Sequence, residues 1–276
     1  GFKNRVSQLY SNLGKSGLTA ILLGLGLFIG MGSYIYHNTV ILNKFMTEDE
    51  TFEVLANYEN KYKQFKDLPL AKITDINVAV DIYPNQRKVE AEGYYIVQNK
   101  TNLPIEKELI IWDTDSKVEV TAEGVEIKDF DAVNNTGWLL FNPALQPNES
   151  KQLNFTVSRQ AKGFVDRNSD NTIVANGSFI NNMLLLPHFG YNENAEITDR
   201  QERKKREMSP PQRMAKLEDE SKYYTGFLGQ EADFVNFEAV VSTTEDQFAI
   251  TPGYLQKEWT KDGRRYFHYK MDAPIF

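Results

Sequence analysis

The side chains that could bind a metal or transfer a proton are few in this sequence, apart from carboxylates. The 276-residue chain has three histidines, His37, His188 and His268, and no cysteine. Without cysteine, disulfides, thiolate zinc sites and cysteine nucleophiles are excluded within it. A zinc hydrolase of the H-E-x-x-H type needs two histidines on one helix face beside a glutamate, and none of the three has that neighbourhood. Zinc catalysis by this chain alone is therefore not expected.

Motifs for other reactions are also missing from the sequence. There is no G-x-S-x-G elbow, P-loop or G-x-G-x-x-G, so neither a serine elbow nor nucleotide binding by those loops is supported. The 38 Asp and Glu residues are too scattered to nominate an acid/base pair. We therefore assign no catalytic, cofactor-binding or metal-binding residue to this chain.

The histidines have structural interpretations. His188 follows an apolar run at 184–187 and precedes Phe189-Gly190, which favours a hydrogen-bonded structural imidazole over a functional loop histidine. His268 lies in a run with strand alternation, where cross-strand packing is the expected role.

The run 199–207 (DRQERKKRE) has mixed charge. We interpret it as a solvated helix face; the alternative is that its four consecutive basic residues contact an acidic patch on a partner. The net charge of -7 and the lack of any other basic run argue against binding to nucleic acid.

Five N-x-S/T sequons are present, and they matter only in a eukaryotic secretory route. They begin at Asn99, Asn134, Asn148, Asn154 and Asn176.

An uncharged stretch near the N-terminus predicts a membrane span. Residues 18–36 (LTAILLGLGLFIGMGSYIY) carry no charge, and a helix of this length reaches about 28 Å, close to the thickness of the bilayer interior. The alternatives are a buried core helix and a signal peptide; a signal usually has a shorter apolar region and a small-x-small cleavage site. Gly26 and Gly30 have the G-x-x-x-G spacing of helix pairs, although glycine is common in membrane helices generally.

Charge is segregated around this stretch. Lys3, Arg5 and Lys15 precede it and no acidic residue occurs before Glu48, so residues 1–43 carry +3 and the remainder carries -10. The positive-inside bias places residue 1 in the cytoplasm and the acidic remainder outside. Tyr34 and Tyr36 would then lie at the outer interface of the membrane.

A second helix is expected immediately afterwards. Thr47-Glu48-Asp49-Glu50 has the form of a capping box, and aromatic and aliphatic residues recur at helical spacing from Phe52 to Phe65. The helix should end near Lys66, before Leu68-Pro69. Its aromatic face could contact lipid headgroups or its own domain, and the second is the commoner outcome.

The rest of the chain has the period of β-strands. Residues 73–99 alternate around Tyr83-Pro84-Asn85 and predict a hairpin with one buried face. Further strands, spaced by about ten residues, suggest a sandwich. They are 109–112, 118–121, 125–130, 138–141, 153–158, 234–243 and 247–250, with a final hairpin of 254–260 and 264–271.

Between about 160 and 232 the pattern becomes irregular, with short charged helices expected at 198–208 and 213–222. The expected fold class is mainly β: an antiparallel β-sandwich preceded by one transmembrane helix and a short linker helix. The expected domains are a cytoplasmic segment 1–17, a transmembrane helix with its outer flank 18–43, an amphipathic linker helix 44–68, and an extracytoplasmic β-sandwich 69–276 with a partly helical insertion near 160–232.

Several separated stretches resemble the aminopeptidase N family of zinc metallopeptidases. Residues 80–84 (VDIYP) and 88–101 (KVEAEGYYIVQNKT) resemble the opening strands of its N-terminal β domain. Others resemble a bacterial branch in which an aminopeptidase-like region follows an ABC-2-type transporter permease on one polypeptide. These are 178–182 (SFINN), 186–191 (LPHFGY), 237–243 (FEAVVST), 250–255 (ITPGYL) and 263–275 (GRRYFHYKMDAPI).

This resemblance implies that the chain is the last permease helix and the N-terminal β domain of a longer protein, as does its start at Gly1 instead of Met. The zinc histidines and glutamates of the family and its G-x-M-E-N loop have no counterpart here and are expected after Phe276, so zinc is expected in the missing C-terminal domain and no site residue is carried over. The implied role is scaffold and substrate gate for that aminopeptidase domain. The implied place is the bacterial inner membrane, with the N-terminus cytoplasmic and the β domain periplasmic.

The partners expected on this reading are the lipid bilayer, the missing permease helices, the catalytic domain and a peptide substrate. Two alternatives remain open: a non-catalytic extracytoplasmic binding module of a membrane transporter, and a single-pass surface receptor ectodomain with glycans on the sequons.

Overall fold

The chain forms two compact units in a computed structural model, which describes residues 2–43, 45–113, 115–164, 171–211, 216–220 and 233–275. One, the helical unit, comprises Gly1–Phe45 and Lys162–Ser169. The other, the β unit, comprises Met46–Ala161 and Asp170–Phe276.

The helical unit contains the predicted apolar helix. Helix α1 is Phe2–Tyr36, with a kink at Gly14, and a π-helical turn, His37–Ile41, continues it. The stretch Gly14–Ile41 has a mean hydropathy of 1.9 and buries none of its most apolar window. It is long and apolar enough to cross a membrane.

Helix α2, Glu48–Tyr62, begins at the predicted capping box. The backbone N–H of Glu50 donates to Thr47 Oγ1 over 3.3 Å, and the backbone N–H of Thr47 donates to Glu50 Oε2 over 2.7 Å. A 3-10 turn, Lys63–Phe65, follows, so the chain leaves helical geometry close to the predicted end. The sequence motif was sufficient to predict this helix N-terminus, because Thr47 and Glu50 lie within one helical turn of each other.

The β unit is built from strands of very different length. In chain order they are β1 Lys72–Tyr83, β2 Lys88–Gln98, β3 Ile105–Ile111, β4 Ser116–Thr121, β5 Val125–Asp131, β6 Thr136–Leu145, β7 Ser150–Gln160, β8 Ile173–Val174, β9 Gly177–Ser178, β10 His188–Phe189, β11 Asn236–Thr244, β12 Tyr254–Lys261 and β13 Arg264–Lys270. Two short helices, α3 Asn182–Leu185 and α4 Arg200–Lys205, lie between β9 and β11.

Two sheets face each other across one core. A seven-stranded sheet has the order β12-β13-β11-β1-β2-β7-β4, and a four-stranded sheet has the order β10-β3-β6-β5. Neighbours are antiparallel except β1 and β11, which are parallel with Asp75 opposite Asn236 and Asp81 opposite Ser242. The core between the sheets includes Val78, Val97, Ile110, Leu139, Phe155 and Phe267. The predicted mainly β sandwich is therefore confirmed.

The predicted strand at 247–250 is wrong. After Thr244 the chain turns, with the backbone N–H of Gln247 donating to the Thr244 carbonyl over 3.1 Å, and it runs as a loop to β12. Ala249 is buried while Phe248 and Ile250 are exposed, which imitates strand alternation. Strand β13 already pairs with β11 on one side and β12 on the other, so this loop finds no open sheet edge there.

The predicted charged helix at 198–208 is shorter than expected, since α4 covers Arg200–Lys205 and is capped by the Asp199 side chain. Half of the helix predicted at 213–222 lies outside the described residues, and the described half, 216–220, forms turns and no α-helix.

Candidate functional site

Helix α2 packs on the outer face of the four-stranded sheet. Tyr58 and Tyr62 are buried in a cluster with Leu109, Ile111 and Tyr191. The rings of Tyr58 and Tyr191 stack at a centroid distance of 5.3 Å and an interplanar angle of 9°. The aromatic face of α2 thus contacts its own domain, the outcome that we favoured over lipid headgroups.

A buried ion pair fixes the same helix to α4. Arg203 Nη1 lies 2.7 Å from Glu59 Oε2 and Arg203 Nη2 lies 2.8 Å from Glu59 Oε1, and both side chains are 3% exposed. Lys63 Nζ bridges Glu59 and Glu196 at 2.8 Å each. Burial raises the pKa of Glu59, but the hydrogen bonds from Arg203 and Lys63 outweigh it, and the pKa lies below its ordinary value. We call this arrangement the α2 clamp.

The interpretation of 199–207 as a solvated face is therefore wrong for two of its arginines. The side chains of Arg203 and Arg206 are 3% and 6% exposed, whereas Lys205 remains exposed. Arg206 Nη2 lies 2.6 Å from Asp49 Oδ1 at the start of α2. The acidic patch that the basic run contacts belongs to this chain, which charge patterning could not show because Glu59 and Arg203 are 144 residues apart.

The three histidines lie in separate places. His37 is exposed in the π-helical turn, and His188 lies on β10 opposite Ile111. Burial lowers the pKa of His188, and the Leu186 backbone offsets this effect only in part. Neither ring nitrogen has a partner with hydrogen-bond geometry among the described residues, so the expected hydrogen-bonded imidazole is not seen.

His268 has the predicted cross-strand role. It lies on β13, opposite Val240 of β11, and its Nε2 is 2.7 Å from Glu238 Oε1. Lys270 Nζ is 2.9 Å from the other oxygen of Glu238. Hydrogen bonds from Lys270 and His268 lower the pKa of Glu238.

No group of three or more histidine and acidic side chains that could hold a metal ion occurs in the described part of the chain.

A carboxyl group that the sequence pattern did not predict lies in the core. Glu108 on β3 is 1% exposed; its Oε2 accepts from the backbone N–H of Ala71 over 2.9 Å, while its Oε1 has no partner among the described residues. Burial raises the pKa of Glu108 to about 8. Its neighbours in β3, Leu109 to Ile111, are all apolar, and this apolar run is the only signal in the sequence that Glu108 is buried.

An acidic groove lies on the outer face of the seven-stranded sheet. Its cavity of about 520 Å³ is lined by Asp81, Glu90, Glu92, Lys117 and Glu119, with the smaller side chains of Ala79, Thr156 and Ser158 between them. Asp81 is directly opposite Glu90, and Lys88 Nζ lies 2.6 Å from Glu90 Oε1. The four carboxylates, on β1, β2 and β4, outnumber the lysine that lines the groove with them and give this face a negative potential that suits a cationic ligand.

Large apolar side chains are exposed in and beside the edge strand β12. Phe248 is 73% exposed, Ile250 85%, Tyr254 64% and Leu255 48%. We call these four residues the β12 patch. Exposed apolar groups gathered in one region mark contact sites on soluble domains.

The sequons divide into two classes. Asn99 is fully buried and its Nδ2 donates to the carbonyls of Leu103 and Leu145. Asn134 is buried and its Nδ2 donates to Asn57 and Asp131. The sequon residues that are exposed are Asn148, Asn154 and Asn176.

No protein-family model matches the chain, and no curated protein matches it. Among solved structures, the chain is similar to an M1 zinc metallopeptidase from Deinococcus radiodurans, with 10% identity, a TM-score of 0.46, and coverage of 78% of this chain and 43% of that one. A variant of a two-domain M1 zinc metallopeptidase bound to L-arginine has 10% identity, a TM-score of 0.43 and coverages of 74% and 40%. Legionella pneumophila aminopeptidase A in complex with aspartic acid has 9% identity, a TM-score of 0.38 and coverages of 78% and 21%. The chain thus spans less than half the length of these peptidases.

Proposed function

We propose that this chain is the membrane-anchored part of a larger aminopeptidase-like protein, fused to an ABC-2-type permease region. Its β unit is the scaffold on which a zinc aminopeptidase domain of the same polypeptide docks, and it restricts access to the active site. The stretches that resemble the aminopeptidase N family support this proposal, as does the mainly β fold that the resemblance implied. Helix α1 is the anchor, and its length and hydropathy support that role.

The observation that carries the proposal is the β12 patch. Tyr254 and Leu255 lie on the edge strand β12, and Phe248 and Ile250 lie in the loop that leads into it; among the described strands, β12 pairs only with β13. An unpaired edge with exposed apolar residues is a surface on which another domain can pack. The docked domain would supply the zinc and its ligands, and zinc-activated water is the chemistry that such a domain contributes.

The test compares the full-length gene product with the 276-residue chain. Stoichiometric zinc and turnover of N-terminal aminoacyl reporters are expected only in the longer protein. A full-length protein without zinc or turnover would overturn the enzyme proposal.

A matched pair of variants tests the docking role of the β12 patch. In the full-length protein, Ile250→Ser should lower turnover, because it removes an apolar contact with the catalytic domain. Phe179→Ser is the control, since Phe179 is 79% exposed and lies outside the patch. Equal turnover in both variants would contradict docking at β12.

The acidic groove favours a second candidate, a non-catalytic module that binds a cationic peptide for a transporter. On this alternative, a lysine-rich peptide binds the chain, and Glu90→Gln with Glu92→Gln weakens the binding, more so at low salt. Zinc-dependent turnover by the full-length protein would count against it.

A further inference from the structure

A loop far along the sequence contacts the C-terminal end of the apolar helix α1. Within the helical unit, residues 162–164 contact the turn that follows α1. Asn43 Nδ2 donates to the Asn38 carbonyl over 2.7 Å and to the Lys162 carbonyl over 3.1 Å, which joins residues 119 positions apart. The ring of Phe164 meets the ring of Tyr34 edge-on, at a centroid distance of 5.3 Å and an angle of 73°.

The contact has no room for a larger residue at its centre. Gly163 has a φ of +71°, and a Cβ there would lie 2.6 Å from Asn43 Nδ2 and 2.7 Å from the Asn38 carbonyl oxygen. Asn38 is itself buried, and its Nδ2 donates to the Tyr34 carbonyl over 2.8 Å. The backbone conformation of Gly163, the Asn43 side-chain amide and the Tyr34–Phe164 ring pair therefore all hold the loop at this end of the helix.

The side chains around this contact have the composition of a membrane interface. Tyr34 and Tyr36 close the uncharged stretch of α1, where aromatic residues mark the headgroup level, and Phe164 lies against Tyr34. Lys162 is exposed two residues away, and a lysine can keep its ammonium among lipid phosphates while its stem lies along apolar surface. Beyond the polar turn, Ile41 and Phe45 are 60% and 59% exposed.

We propose that the loop Lys162–Phe164 is a second membrane-contacting element, seated in the headgroup region of the leaflet into which the end of α1 emerges. Its partner is the lipid surface, with Phe164 at the boundary of the acyl chains and Lys162 among the phosphates. This inference rests on the proposed anchoring of α1 in a bilayer. The turn after the span and the loop then form one interfacial platform, held together by Asn43.

The absence of cysteine allows a direct test of depth. Single variants Lys162→Cys, Phe28→Cys and Lys117→Cys of the full 276-residue chain are labelled with a nitroxide and reconstituted in vesicles of phosphatidylethanolamine and phosphatidylglycerol. Phe28 lies in the middle of the uncharged stretch and Lys117 is an exposed residue of the β unit, so they serve as membrane and aqueous references. The ratio of collisions with oxygen to collisions with a nickel chelate reports depth.

The label at 162 should give a ratio severalfold above the label at 117 and below the label at 28. If the label at 162 gave the same collision ratio as the label at 117 while the label at 28 lay in lipid, the proposed interfacial loop would be overturned and the proposed anchor would stand. Aqueous values at all three positions would overturn the anchor and the loop together.

A second pair of variants tests whether the helix contact holds the loop. Gly163→Ala in the Lys162→Cys background should shift the label towards the aqueous value, because the added Cβ has no space. Gly177→Ala is the matched control, since nothing lies within 4 Å of a Cβ there. An unchanged depth with Gly163→Ala would contradict the role assigned to the contact.

Discussion

Glu108 places a titratable group where only apolar side chains are usual. The folded pKa of about 8 lies above its ordinary value of 4.5, so the neutral acid is the form that the core accepts at neutral pH. For a group with a raised pKa, the contribution to stability is fully present below the ordinary pKa and is lost as pH rises through the folded pKa. The stability of the β unit should therefore fall between about pH 4.5 and pH 8 through this residue.

Glu108→Gln should remove that pH dependence. The amide keeps an acceptor for the Ala71 N–H and never ionises, so the variant should be more stable than the natural chain by about 5 kcal/mol at pH 9 and similar to it at pH 4.5. Urea unfolding at the two pH values measures the difference. Glu106→Gln is the control, because Glu106 is exposed on the same strand and should leave the pH dependence unchanged. An equal loss of stability in Glu108→Gln at both pH values would argue for a purely packing role.

At the scale of elements, α2 is held by side chains that come from a distant part of the chain. Its cap is local, but its packing depends on Tyr191 and on Arg203 of α4. A buried, bidentate pair is very sensitive to the loss of one partner, because the remaining charge is left without compensation.

Arg203→Met should lower the free energy of unfolding by about 3 kcal/mol, since Glu59 would remain buried without its main partner. Urea unfolding followed by tyrosine fluorescence detects this change, as Tyr58, Tyr62 and Tyr191 lie in the same cluster. Lys205→Gln provides the comparison: its ion pair with Asp49 is exposed on both sides, and no measurable change is expected. If the two variants unfolded at the same urea concentration, the α2 clamp would not stabilise the fold.

At the scale of the whole molecule, the distribution of charge predicts the orientation of the chain in the membrane. In spheroplasts of a bacterial host, a membrane-impermeant maleimide should label Lys117→Cys without permeabilisation and Lys15→Cys only after it. The natural chain has no cysteine and serves as the blank. Labelling of Lys15→Cys alone on intact spheroplasts would show the opposite orientation, and labelling of both would show that the chain is not inserted.

Features that depend on neighbouring residues could be predicted from the sequence alone. The capping box at Thr47 and Glu50, the long apolar helix and the hairpins β1–β2 and β12–β13 each follow from a periodicity or a turn within about 30 residues. At 247–250 the same periodicity predicts a strand wrongly, because the burial of Ala249 between two exposed apolar residues gives a loop the alternation of a strand. The missing catalytic motifs were also visible from sequence, because such motifs are short.

Contacts between distant segments could not be predicted from the sequence and are seen in the fold. The parallel pairing of β1 with β11 joins residues 161 positions apart, and the α2 clamp joins residues 144 apart. Three other features likewise depend on contacts between distant segments of the chain. They are the burial of Glu108, the exposure of the β12 patch and the contact of the loop at Lys162 with the end of α1. Local periodicity identifies an apolar or charged face, but it does not identify the segment that packs against that face, because several segments of the chain would fit equally well. Packing and the order of strands in the sheet select one of them.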